Sequence, residues 1–246
     1  MRGKRDTAKQ QPFLSPSAVI AAAAHELKTP LTLITYIAQT LHDEAVALSA
    51  AEKLQYVHRL ELVSKRALRL VQHMTLGYRL EEQVAFMFAL EPVNLQQVCE
   101  QALHELTPYA TEYKQQLQLI KRTRAPVVLA HRDILHDIIT NLVDNCIRHN
   151  QPGAAVTVAT LARSQRVRLQ VHDNGSGMSS QTLAQLRTNL GSGPQPFTGH
   201  GGTSGLGLYI VQQLVGAMGG RLGLGRAGQG TTFFVDMLRS HQLRLL

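Results

Sequence analysis

Apolar residues recur at alternating steps of four and three through the first third of the chain. The first set is Ile20, Ala24, Leu27, Leu31, Ile34, Ala38 and Leu41; the second is Tyr56, Leu60, Val63, Ala67, Leu70, Met74 and Gly77. Two sustained stripes of this period predict two long helices packed antiparallel over residues 16–82. Ser15 can cap the first, with Pro16 at the opening position where its missing N–H costs little. "HDEAVALSAAEK" supplies the connection. Each stripe is more apolar than a lone helix pair can bury, so the pattern predicts two hairpins joined as a four-helix dimer.

From about residue 86 the rhythm changes. "FMFALEPVNL" reads as a strand running into a helix capped by Asn94, with Gln97 at the capping-box position. "QQLQLIKR" and "PVVLA" read as short strands and "RDILHDIITNLVDNCIRHN" as a helix with an apolar face. "AAVTVATLARSQRVRLQVHDNG" alternates like a hairpin turning near 163–165. A glycine-rich stretch, the helix "SGLGLYIVQQLVGAMGG" and the hairpin "RLGLGRAGQGTTFFVDML" complete the chain. Strands interleaved with helices predict an α/β sandwich, helices over one face of a mixed sheet. The whole is an α+β chain. It divides into a basic segment (1–15), a helical hairpin (16–82), a linker and first strand (83–91), an α/β domain (92–240) and a tail (241–246). The joint is expected near 81–84.

Composition narrows the class. The 246 residues suffice for one large or two modest domains. No apolar run reaches the roughly 20 residues of a membrane helix. The basic start has no apolar core of signal-peptide length behind it, so a cytoplasmic protein is expected. Cys99 and Cys146 are far apart and lack metal-ligand spacing, which reads as reduced core thiols. The formal charge of +8 is spread along the chain rather than clustered, apart from "MRGKR". It therefore argues for a solvated basic surface, and for an acidic protein partner over nucleic acid.

Four stretches carry candidate chemistry. In "AAAAHELKTPLT", His25 stands one residue, about 100°, past the stripe position Ala24, which turns it toward solvent. Pro30 removes the N–H that would bond the carbonyl of Glu26, so a bend is expected there. "NLVDNCIRHN" sets Asn141 and Asn145 on one helix face as neutral oxygen donors suited to magnesium, with Arg148 and His149 a turn on, able to meet phosphate and adenine. "VHDNGSGM" ends a strand with Asp173, able to accept from an adenine amino group, while Gly175 and Gly177 admit the ring. "GHGGTSGLGLYIV" runs glycines into a helix whose first N–H groups, around Ser204 to Gly207, make an anion site.

Taken in order, "HELKTPLT", "NLVDNCIRH", "DNGSG", "GGTSGLGLYIV" and "GQGTTF" resemble the phosphoacceptor, asparagine and glycine boxes of bacterial two-component sensor histidine kinases. The likeness runs from about residue 16 to 238. It implies a dimerisation and phosphotransfer hairpin followed by an ATP-binding domain of the Bergerat type. By that likeness His25 is the phosphorylated residue, Asn145 with Asn141 holds Mg2+, and Asp173 binds adenine. Gly175 and Gly177 shape the adenine site, and Thr203, Ser204, Gly205, Leu206 and Gly207 line the phosphates of ATP beneath a lid. Glu26 can take the proton of the other imidazole nitrogen. Thr29 holds the position that, in similar kinases, orients water for dephosphorylating the partner. The implied partners are a response regulator with an acceptor aspartate, a second copy of the chain, and an upstream sensor partner or sensor region.

The sequence departs from the family pattern at Arg148 for lysine, His149 for tyrosine, His131 for an acid, and a lid of about 178–200 with Phe197 as its only phenylalanine. Three other readings stay open. A related ATPase would place a glutamate where Asn141 stands, and an anti-sigma serine kinase would lack "HELKTP". A phosphatase-dominant or scaffold dimer would have a weakened nucleotide site, against which Asn145, Asp173 and Gly207 argue.

Overall fold

The computed structural model describes residues 16–43, 46–80, 89–121, 126–190, 206–226 and 228–240. Helix α1 (Pro16–His42) runs on through Pro30, and α2 (Ala50–Leu80) returns against it. Ser49 starts α2 with a reciprocal cap. Its Oγ accepts from the Glu52 N–H (3.3 Å), while the Glu52 carboxylate accepts from the Ser49 N–H (2.8 Å). That hydrogen bonding to Ser49 lowers the Glu52 pKa. The joint expected at 81–84 lies outside the described residues.

The hairpin seam differs from the predicted stripe. Pro30 and Ile37 are buried, whereas Ala24, Leu31 and Ala38 are exposed. Leu27, Ile34 and Leu41 are half-buried, so the line facing α2 and the body of the protein reads 27, 30, 34, 37, 41, still at steps of three and four. On α2, Ala67 is buried. One antiparallel partner covers only a narrow stripe. The stripe read from sequence is wider, and its flank at 24, 31 and 38 is left open in a single chain.

The second part is a layered α/β unit. Strand β1 (Glu91–Asn94) leads into α3 (Leu95–Glu112), where Asn94 accepts from the Gln97 N–H at 3.2 Å, as expected. Next come β2 (Gln116–Ile120), β3 (Val127–Ala130), α4 (Arg132–His149), β4 (Ala155–Ala162) and β5 (Arg166–Asp173). The β4–β5 hairpin turns at 163–165, where the Arg163 N–H donates to Arg166 O (2.8 Å). The chain ends with α5 (Ser180–Asn189), α6 (Leu206–Ala217), β6 (Arg221–Gly225) and β7 (Thr232–Leu238).

The main sheet has the order β2-β4-β5-β7-β6, with β2 parallel to β4 and the other pairs antiparallel; β1 and β3 form a separate antiparallel pair. Buried and half-exposed residues alternate along β5, so one sheet face is dry. Onto it pack Leu135, Ile138, Leu142 and Ile147 of α4, Leu103 and Leu106 of α3, and Val211 and Leu214 of α6. Helix α6 also touches both hairpin helices. Helix α5 falls in the stretch expected to be lid. Ser179 caps it, accepting from the Thr182 N–H (3.0 Å), and Leu183 and Leu186 insert into the core. On the sheet's other face Arg168 grips Asp236 through two hydrogen bonds (2.7 and 2.6 Å) and lies over the Phe234 ring.

Candidate functional site: the C-terminal end of β5 against α4

Asp173 is the last residue of β5 and is 5% exposed. Its N–H donates to Thr231 O (3.0 Å), which ties the strand end to the turn before β7. Its Oδ1 accepts the Gly175 N–H (3.1 Å), and its other carboxylate oxygen makes no hydrogen bond among the described residues. A nearly buried carboxylate with a spare oxygen suits an amino-group donor.

Three glycines pack at this strand end, two of them against the carboxylate itself. A Cβ on Gly230 (φ +92) would collide with the Asp173 carbonyl, and one on Gly177 (φ +69) would meet Gly230 O at 3.0 Å. One on Gly175 would strike the Asn150 side-chain oxygen. The strand end, the 175–177 loop and the turn before β7 therefore pack backbone to backbone, a closeness only glycine allows.

Helix α4 supplies the facing wall. Asn141 and Asn145 lie one turn apart, both half-buried, while Leu142 and Cys146 beside them are buried. The Asn141 Nδ2 donates to Asp137 O (2.8 Å), fixing its carboxamide to the helix. Arg148 donates from Nη2 to Asn145 Oδ1 (3.2 Å) and pairs through Nε with Asp144 (3.4 Å). The oxygen expected to hold a metal thus already attracts a cation. His149 is exposed at the helix end. His131, where an acid was expected by family pattern, is the N-cap residue of α4 and makes no side-chain cap. Burial pushes the Cys146 thiol well above 9.0, with the charges of Asp173 and Asp144 adding to it, which places α4 against the strand end.

The structure brings Asp173, Gly175 and Gly177 together at the end of β5 with Gly230, and sets Cys146 of α4 near that carboxylate; Asn141, Asn145 and Arg148 share α4 with Cys146. Gly207 lies in the first turn of α6, and among the described residues a Cβ there would meet nothing within 4 Å. Thr203, Ser204 and Gly205 lie outside the described residues, as do the side chains of Leu206, His25 and Glu26. Thr29 is exposed on α1. Sequence reasoning missed Gly230 and Asn150. Gly230 lay within a quoted motif, but its contact with Asp173 needs the β5–β7 pairing to become visible.

Two family models match. Residues 17–83 match the His Kinase A (phospho-acceptor) domain and 130–241 the histidine kinase-, DNA gyrase B- and HSP90-like ATPase. The chain belongs to the two-component histidine kinases. Among its relatives is the adaptive-response sensory kinase SasA of Synechococcus elongatus, 31% identical over 250 positions, covering 94% of this chain and 61% of that protein. The chain covers smaller shares of other relatives such as the sensor histidine kinase AruS (22%) and the sensor protein kinase PmrB (42%), both of Pseudomonas aeruginosa. The fold of this chain is similar to that of full-length ShkA solved with AMPPNP (24% identity, TM-score 0.61), over 95% of this chain and 48% of that one. It is also similar to that of the histidine kinase ThkA solved with the response regulator TrrA (16% identity, TM-score 0.58), over 91% and 61%. Among the described residues, no helix of this chain is long and apolar enough to cross a membrane.

Proposed function

We propose that this chain is an ATP-dependent protein histidine kinase that phosphorylates His25 and hands the phosphoryl group to an aspartate of a response regulator. The observation that carries the reading is Asp173, a nearly buried carboxylate with a spare oxygen, packed closely by Gly175 and Gly230. Asp173 accepts from the adenine amino group, and Gly175, Gly177 and Gly230 let the loops beside it pack closely enough to hold that carboxylate in place. Gly207 and the residues before it take the phosphates with backbone N–H groups at a helix start. Asn145, with Asn141, would hold Mg2+, which offsets charge between the β and γ phosphates when bound. Arg148, which donates to the Asn145 oxygen, is the cation on α4 that would meet a phosphate.

A ring nitrogen of His25 attacks the γ phosphorus, the bond to the β-phosphate oxygen breaks, and ADP leaves. Glu26 takes the proton from the second ring nitrogen as positive charge develops. Thr29, four residues on, orients water for the reverse task of clearing the partner's aspartyl phosphate. The open flank at Ala24, Leu31 and Ala38 supports a second hairpin as dimer partner. SasA and PmrB are named as sensory kinases, and ThkA was solved with a response regulator, which supports the same class of partner here.

Given γ-labelled ATP and Mg2+, the wild-type chain should gain label that acid removes. His25→Gln should gain none yet bind ATP unchanged, and Thr29→Ala should keep autophosphorylation while losing regulator dephosphorylation. Acid-labile label on His25→Gln would contradict the proposal.

A further inference from the structure

Two ion pairs in this protein share the i, i+4 helical spacing and differ in their surroundings. On α2, Lys65 and Glu61 are 64% and 55% exposed, an ordinary pair covered by water. On α4, Arg148 and Asp144 pair at 3.4 Å with side chains only 24% and 15% exposed. The Arg148 Nε is enclosed and makes no hydrogen bond among the described residues, so the Asp144 carboxylate beside it offsets the burial of its charge. The far end of the same guanidinium donates from Nη2 to Asn145 Oδ1 (3.2 Å). One planar fork therefore bridges a carboxylate and the carboxamide oxygen proposed for the metal, a reach that the single ammonium of a lysine lacks.

We infer that Arg148 is a built-in competitor for the metal's oxygen, and that Asp144 is the positioning residue that holds it there. The oxygen does not serve both cations at once. Mg2+ sits about 2.1 Å from an oxygen ligand, so with Nη2 on the same atom the two positive charges would stand no more than about 5 Å apart, where water screens them poorly. Metal loading is then an exchange, in which Arg148 gives up Asn145 Oδ1 as the metal takes it. The inference rests on the magnesium role proposed for Asn145 and adds a control to that site. Nucleotide without metal leaves the clamp closed, and the cost of opening it reduces the gain in ATP binding that Mg2+ brings.

Calorimetry with ATP, in Mg2+ and in EDTA, tests the inference on the intact chain; the ratio of the two affinities is the magnesium enhancement. Arg148→Lys keeps the charge but not the fork, and Asp144→Asn keeps the shape but not the anchor. Each should raise the enhancement about threefold to tenfold over the wild type, the release of one hydrogen bond's worth of hold. The direction is diagnostic, because an Asp144 that only attracted the dication would give a lower enhancement once neutralised. On the wild type, hydrogen exchange at the enclosed Arg148 Nε–H, followed by NMR, should be slow with AMP-PNP in EDTA and about tenfold faster or more once Mg2+ is added. An enhancement unchanged or lowered in either variant overturns the inference. So does an Nε–H that stays equally protected with Mg2+, a result that needs no variant to fold. Asn145→Ala separates the two levels. If Mg2+ strengthens its ATP binding as much as it does for the wild type, the magnesium role of Asn145 fails and takes the inference with it; if Asn145→Ala loses the enhancement while Arg148→Lys and Asp144→Asn keep the wild-type ratio, only the clamp loses its role.

Discussion

Gly228 and Gly230 sit two residues apart in the turn before β7, both with left-handed backbone (φ +68 and +92). A Cβ on Gly228 would point into open space, whereas one on Gly230 would run into the Asp173 carbonyl. The pair separates the cost of the backbone conformation from the cost of crowding the site. Gly228→Ala should lose about 1 kcal/mol of stability, the ordinary penalty for a side chain at positive φ, and leave ATP binding intact. Gly230→Ala should lose about 2 kcal/mol or more and weaken ATP binding as well, because the strand end bearing Asp173 must shift. Thermal denaturation and calorimetry read both effects. Equal behaviour of the two variants would show that Gly230 only completes a turn.

Helix α4 joins the core to the site, and its thiol reports on both. Burial holds the Cys99 thiol on α3 up at about 12, with the Glu100 charge adding to it, and holds Cys146 on α4 well above 9.0. Both native values lie above the ordinary thiol value, so the stability they contribute is complete below pH 9 and is lost as pH rises from there toward 12. Neither thiol of the folded protein should react with a thiol reagent at pH 8, and both should react in denaturant. Rapid labelling of the folded chain would show that α3 and α4 do not pack as described. Element identity was largely legible in the sequence here. The Asn94 cap, the 163–165 turn and the apolar face of α4 follow from local rules that tertiary contacts reinforce. Helix α5 was not legible, since it lacks a long apolar stripe and declares itself only when Leu183 and Leu186 find the core. The seam of α1 was half legible, because Leu31 and Ala38 have the right period but the wrong side for a lone α2. Within the site, Asp173 and the asparagines stood out by chemistry. Asn150 and Gly230 did not, because their importance is a contact with residues far along the chain.

At the scale of the molecule, the proposed function divides the work between the hairpin, which would present a nucleophile, and the layered α/β unit, which would hold the nucleotide. Helix α6 bears on both, packing in the sheet's core and touching α1 and α2. The central claim is that a nucleotide held at Asp173 serves His25. The most direct measurement is to give the chain γ-labelled ATP with Mg2+ and map the label, for the wild type and for Asp173→Asn. The account predicts one acid-labile, base-stable phosphoryl group on the peptide that contains His25, reduced by a factor on the order of ten to a hundred in Asp173→Asn at limiting ATP. Label on a serine or threonine, or label on His25 at an undiminished rate in Asp173→Asn, would contradict it.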